Sequence, residues 1–473
     1  MNKKAIDFIK NFSFTLSSNL INLLISSLVI LIVPKLIGVE EYGYWQLYLF
    51  YSTYVGLLHF GWNDGIYLKL GGERYKNLNK NLYFSQFYML LFFQIAVAVV
   101  VLIIANVYVN DLNKIFIFKM IAFCIVITNT RFMLLYILQA TNRFKEYAGI
   151  IISEKLIYFF LILLLLSIGV NDYKFLIFLD LVGRSVSLLI AFYFCKEIIF
   201  RKINNFHFYL KETLNNISIG VKLLLANIAS LLVIGNVRFG IENSWDVETF
   251  GEISLMLSLV NFVLIFISAS GIVLFPFLRR SNQEILPSVY ITIKTLLMMF
   301  IFGTLIIYFP LNFFLVSWLP AYSHSLIYLS LIFPIIVYEG KMSLLINTYL
   351  KALRKEKLLL KINLLSFFMS LFTTYLTTII FKDLNFAVLS ILILLAFRSI
   401  VAEVLLTKLL SISIKKDLIL ETFLIALFVW STWHFQMILA AVVYLISFFA
   451  YLIIKAKDIK EANKMISSLI KLK

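Results

Sequence analysis

Of the basic residues inside the apolar stretches of this chain, six are the leading candidates for chemistry: Arg131, Lys155, Arg184, Lys222, Lys341 and Arg398. A charge in the middle of a membrane-crossing helix costs about 2.5–3.5 kcal/mol on insertion scales, so each needs compensation. An acid on the same or a neighbouring helix provides it. So does an anionic ligand, and phosphate oxygens suit Arg and Lys especially well because the hydrogen bonds are charge-assisted. Asp180 and Arg184 are four residues apart, which puts them on one helix face and predicts an ion pair. Lys155 and Lys222 lie a turn or two from a predicted span end, where a long side chain also reaches the interface. Arg398 and Glu403 are five apart and point in different directions, leaving Arg398 to pair with Glu403 or with another helix. Glu339, near a predicted midpoint, is the best-placed acid for coupling to a proton or sodium gradient.

A second set is uncharged. Thr15, Asn19, Asn22 and Ser26 follow steps of four, three and four, and so share one helix face. Ser218, Lys222 and Ser230 form a comparable face further along, with Asn227 beside it. Asn19, Asn22, Ser26, Asn227 and Ser230 are therefore candidates to line a polar cavity; hydrogen bonding between helices is the alternative. Other polar residues carry less. Asp64 and Lys35 read as interfacial, and His59, His207, His324 and His434 form no ligand cluster. Cys124 and Cys195 give no disulfide or metal spacing. Gly61 and Gly65, four apart, permit close helix approach. There is no phosphate-binding loop, nucleotide fingerprint or nucleophile–base pair, so no bound cofactor is expected. Uphill work would draw on an H+ or Na+ gradient or on consumption of product outside.

The elements that must hold these residues are membrane helices. The chain is 62% hydrophobic, with a mean hydropathy of +0.96, against about 45–50% apolar residues in a soluble domain. Apolar runs long enough to cross a core of about 30 Å recur from end to end. They predict an all-α polytopic membrane protein of about 14 transmembrane helices, over 12–37, 44–68, 83–105, 115–139, 147–169, 173–195, 217–239, 250–277, 291–317, 324–349, 359–381, 385–410, 418–434 and 436–455. A transmembrane β-barrel is excluded, because its strands need about ten alternating residues rather than continuous runs. The basic start at Met1–Lys10 precedes a run too long for a signal sequence and reads as an uncleaved first helix. The formal charge of +17 falls mostly at both ends and in every second loop, as in Lys69/Arg74/Lys76/Lys80 and Lys351/Arg354/Lys355/Lys357. That alternation predicts cytoplasmic termini, and it assigns the charge to topology and anionic lipid contact, not nucleic acid.

Val39-Glu40-Glu41-Tyr42-Gly43 recurs as Val247-Glu248-Thr249-Phe250-Gly251, 208 residues later by numbering, and Asn19 falls over Asn227 at the same distance. The chain therefore divides into an N-lobe (1–196, spans 1–6), a cytoplasmic linker (197–216) and a C-lobe (217–410, spans 7–12). An additional helix pair, spans 13–14, and a basic tail follow over 411–473. Six spans per lobe is an even number, so the lobes are parallel repeats related by a pseudo-two-fold axis along the membrane normal. Charge alternation puts both motif copies in short external loops.

Pro34, Gly38, Tyr42-Gly43-Tyr44-Trp45, Phe250-Gly251 and Leu274-Phe275-Pro276 resemble the polysaccharide-transporter flippases, the Wzx-type exporters of O-antigen and capsule repeat units within the MOP superfamily. The resemblance covers roughly residues 10–410. It implies translocation of an undecaprenyl-diphosphate-linked oligosaccharide from the cytoplasmic to the outer leaflet of a bacterial inner membrane by alternating access. It also implies a cationic cavity, for which Arg131, Lys155 and Lys222 are the leading candidates, and polymerase and glycan-assembly proteins as partners. Family members often carry an Asp near the outer end of span 7, where this chain has Asn236. An exporter of drugs or small solutes from the same superfamily is the alternative transporter. A membrane glycan polymerase is less suited, because every predicted external loop is only about ten residues or fewer.

Overall fold

The computed structural model describes residues 25–26, 28–280 and 282–471, and among them every regular element is helical. In chain order these are α1 (28–36), α2 (Val39–Val55), α3 (Trp62–Leu70), α4 (Lys80–Tyr108), α5 (Leu112–Ala140), α6 (Phe144–Ser167) and α7 (Tyr173–Phe194). Then come α8 (Lys196–Ile199), α9 (Leu210–Ser244), α10 (Val247–Arg280), α11 (Leu286–Leu305), α12 (Tyr308–Trp318), α13 (Ile327–Ile332) and α14 (Ile335–Gly340). The last are α15 (Asn347–Ala352), α16 (Glu356–Thr374), α17 (Leu384–Leu409), α18 (Lys415–His434), α19 (Met437–Ile454) and α20 (Ala456–Lys471). Among the described residues 12 helical stretches are long and apolar enough to cross a membrane. They correspond to the third through fourteenth expected spans. Most of the first, with Asn19 and Asn22, lies outside the described residues.

The chain forms two compact units, Met1–Ile228 and Ala229–Lys473, with the division inside α9. Each is built around one sheltered helix. In the first, α5 is 72% buried along its most apolar stretch and packs on α2, α3, α4 and α7. In the second, Ile327–Ala352 is 89% buried and packs on α10, α11 and α17. Peripheral helices keep large apolar side chains outward, such as Phe92, Val100 and Ile103 on α4, as a hydrocarbon solvent requires. The two units also repeat local devices in the same order. α5 and α15 both end in a left-handed residue, Asn142 (φ 63°) and Arg354 (φ 56°). In each case the next N–H returns to the helix: Arg143 to Leu138 and Lys355 to Leu350, both at 2.8 Å. Asp172 and Asp383 then cap the starts of α7 and α17.

Three expectations need correction. The repeated motif is not an external loop: Val39 and Val247 are the first residues of α2 and α10. Its acids sit where the positive end of the helix dipole favours them. Its aromatics, Tyr42 and Phe250, are core anchors at 0% and 1% exposure. Glu41 accepts the N–H of Tyr173 at 2.8 Å, tying the first copy to the start of α7.

Second, span 2 is not continuous. After α2 the chain makes a 3₁₀ turn at Gly56–His59, passes through left-handed Phe60 (φ 52°) and Gly61 (φ 87°), and restarts as α3. Nearby amides occupy the freed carbonyls: Asn129 donates to Val55 O at 3.0 Å and Gln94 to Leu58 O at 3.1 Å. A long apolar run hides such a break because Phe60 looks like any other span residue. Third, Asp64, just after the break, is buried rather than interfacial. The close approach allowed by Gly61 and Gly65 is made by α9: a Cβ on Gly65 would lie 1.9 Å from Asn216 O, and one on Gly220 1.9 Å from Gly61 O.

Candidate functional site

In the first unit, α2, α5, α6 and α7 bring buried charges together. Asp180 accepts from Tyr48 Oη and from Arg184 Nε, both at 2.7 Å. Arg184 also donates to Thr128 Oγ1 at 3.2 Å. Arg131 pairs with Glu154 and donates to Ser187 Oγ at 3.1 Å, while Lys155 Nζ is 3.6 Å from Glu154. Three cations, Arg131, Lys155 and Arg184, thus face two acids, Glu154 and Asp180. Lys155 and Arg184 keep access, with side chains 28% and 12% exposed, while Arg131 is sealed at 5%. The group has a surplus positive charge and presents it through Lys155 and Arg184.

The second unit does the opposite. Lys341 Nζ donates to Glu403 at 2.5 Å and to Glu421 at 2.8 Å. Lys294 Nζ lies 2.8 Å from Glu403 and 3.1 Å from Glu421. Tyr290 Oη donates to Glu403 at 3.0 Å. Two cations and two acids alternate in a group at most 4% exposed. Lys341 opens a π-helical turn, Lys341–Ile346, between α14 and α15, a departure that often marks a specialised site. At the end of α19, Lys455 donates to Asp417 at 2.5 Å and Asp458 at 2.6 Å. Burial works against its charge, but these bonds outweigh it and hold the ammonium above its ordinary pKa. Arg398 pairs with Glu339, not with Glu403, and donates to Ser230 Oγ at 3.2 Å.

The candidates therefore divide. Arg131, Lys341 and Arg398 are neutralised inside their own units, and Asp180–Arg184 is the pair that its spacing predicts. Glu339 is held by Arg398, which occupies the acid suggested for ion coupling. Lys222 and Asn227 are exposed on α9, and Ser26 and Ser230 are half-buried. Sequence reading overlooked Lys294, Glu154 and Glu421. All three stand inside apolar runs, and the adjacent Glu154-Lys155 was the signal for a local charge partner. Asn236 is buried, and Arg238 beside it lies over the Phe250 ring of the repeated motif at 5.1 Å. Among the described residues no three His, Cys, Asp or Glu side chains converge in a metal-binding arrangement.

No family model and no curated protein matches the chain. Solved structures do. An inward-facing multidrug resistance MATE family transporter of the MOP superfamily aligns with TM-score 0.58 at 13% identity, over 83% of this chain and 98% of its own. An outward-facing structure of such a transporter aligns with TM-score 0.55 at 13% identity, over 85% and 96%. The chain is a multi-pass membrane protein with the fold of the MATE transporters of the MOP superfamily.

Proposed function

We propose that this protein is a flippase that carries an anionic, polyprenyl-diphosphate-linked oligosaccharide from the cytoplasmic to the outer leaflet of a bacterial inner membrane. The observation that carries the reading is the unbalanced cluster of the first unit, three cations to two acids, with Lys155 and Arg184 open. A diphosphate supplies the missing negative charge through charge-assisted hydrogen bonds. The resemblance to repeat-unit exporters gives the sugar and the isoprenoid, and O-antigen or capsule units are the cargo it names. Alternating access is supported by the fold, which similar transporters adopt in both inward- and outward-facing forms. The two lobes would be the moving parts, with cytoplasmic termini, membrane lipids around them, and a polymerase and glycan-assembly proteins receiving the product.

The multidrug resistance transporters with this fold support a second reading, export of drugs or small solutes. The surplus positive charge argues against cationic drugs, not against anionic ones. Deleting the gene separates the two. Surface glycan should disappear and lipid-linked units accumulate on the cytoplasmic leaflet; unchanged glycan with increased drug sensitivity would establish the exporter instead.

A further inference from the structure

The break in span 2 holds a buried His–Asp pair outside the cationic cluster. His59, in the 3₁₀ turn, is 2% exposed, and Asp64, in the first turn of α3, is 5% exposed. His59 Nε2 lies 3.7 Å from Asp64 Oδ2. The other ring nitrogen, Nδ1, accepts the Gly61 N–H at 3.0 Å. That bond requires Nδ1 to be unprotonated, so the ring is neutral with its proton on Nε2, towards Asp64. An ionised Asp64 then has no opposing charge.

The surrounding groups do not supply one. Tyr67 on α3 and Tyr136 on α5, whose rings lie 5.4 Å apart and tilted, bring only phenol groups. From the same helix pair, Lys69 is taken by Glu212 of α9. Arg131 of α5 is taken by Glu154. From α4, Gln86 and Gln94 contribute only amides. Glu154, Asp180, Glu339, Glu403 and Glu421 each have a Lys or Arg within ion-pair distance; among the described residues Asp64 has only His59. The amide oxygens of Asn63 and Asn129, two wholly buried residues joined by an Asn63 Nδ2 to Asn129 O hydrogen bond, accept nothing. The site is rich in acceptors and short of donors, which suits a ligand that donates hydrogen bonds.

We propose that Asp64 is the proton-carrying residue of this transporter, with His59 positioning it at the helix break. The inference rests on the transport reading above. A proton entering from bulk water on one side of the membrane adds to the Asp64 carboxylate and yields the neutral acid; the same proton leaves to the other side and restores the carboxylate. His59 keeps its Nε2 proton throughout. Interrupted helices are where membrane transporters place coupling ions, because backbone and side chains there are free to serve a ligand.

The test is pH-difference infrared spectroscopy of the purified full chain in lipid, which needs no cargo. The wild type should show a protonated-carboxyl carbonyl band that titrates, and Asp64→Asn should lose it while eluting and melting like the wild type. His59→Gln should keep the band but shift the pH at which it titrates. Glu252→Gln, at a half-buried acid on α10, should leave it intact. A band that survives Asp64→Asn, or vanishes with Glu252→Gln, overturns the assignment. In proteoliposomes, Asp64→Asn should also lose the acceleration that a pH gradient gives the wild type; full retention of it, or acceleration by a sodium gradient alone, overturns it too. A titrating Asp64 band in a protein that moves no glycolipid sustains the proton site and removes the cargo assignment.

Discussion

Replacing Lys341 by methionine is expected to destabilise the second unit more than any other single loss of charge considered. The variant leaves Glu403 and Glu421 buried with Lys294 as their only shared cation among the described residues. Breaking a buried ion group by removing one partner costs about 3–5 kcal/mol, because the remaining charge is dry and uncompensated. Replacing a balanced pair with apolar residues of similar volume is often neutral. The double variant Lys341→Met/Glu421→Leu, which keeps the Lys294–Glu403 contact at 2.8 Å, should therefore recover most of the loss. Thermal unfolding in detergent measures both. Wild-type stability for Lys341→Met would mean that the quartet contributes nothing to the fold.

The second large effect concerns α9. Gly220→Ala places a methyl 1.9 Å from Gly61 O, a backbone atom fixed by the break in span 2. Relief requires α3 and α9 to separate, and overpacking of this kind costs about 1–3 kcal/mol or more. Gly240, on the same helix, is an internal comparison: its added Cβ would lie 2.5 Å from Thr374 Cγ2, a side-chain methyl that can rotate away. Gly149 is a control, with nothing within 4 Å. Alanine there should stabilise α6 by up to about 1 kcal/mol. The folded yield should therefore rank Gly149→Ala above Gly240→Ala, and Gly240→Ala above Gly220→Ala. A neutral Gly220→Ala would mean that the two helices pack less closely than described.

Local spacing carried much of this. Apolar runs located the membrane helices, the i,i+4 step gave Asp180–Arg184, and the paired glycines pointed to a close helix crossing. What failed was non-local. Nothing in the neighbourhood of Arg131 names Glu154, and nothing near Arg398 names Glu339, since both pairs join separate helices. Periodicity also cannot distinguish a continuous span from one interrupted at Phe60, because hydropathy is blind to a change in φ. The repeated motif was misplaced for a related reason. Two adjacent glutamates resemble a loop, yet a helix N-terminus favours them equally. The consequence for the site is direct: the buried cations that suggested a phosphate ligand have protein partners, and Lys155 and Arg184 remain candidates because their cluster holds three cations to two acids and leaves these two partly exposed.

The anionic cargo is tested most directly in liposomes. Purified protein would be reconstituted with a fluorescent polyprenyl-diphosphate oligosaccharide, and its exposure to an impermeant quencher followed. The wild type should move the lipid between leaflets. Lys155→Ala, which removes a charge-assisted contact worth about 1.5–3 kcal/mol, should slow it about tenfold or more at equal folded protein. No movement of the lipid-linked glycan by a folded wild type that exports a cationic dye would contradict the account.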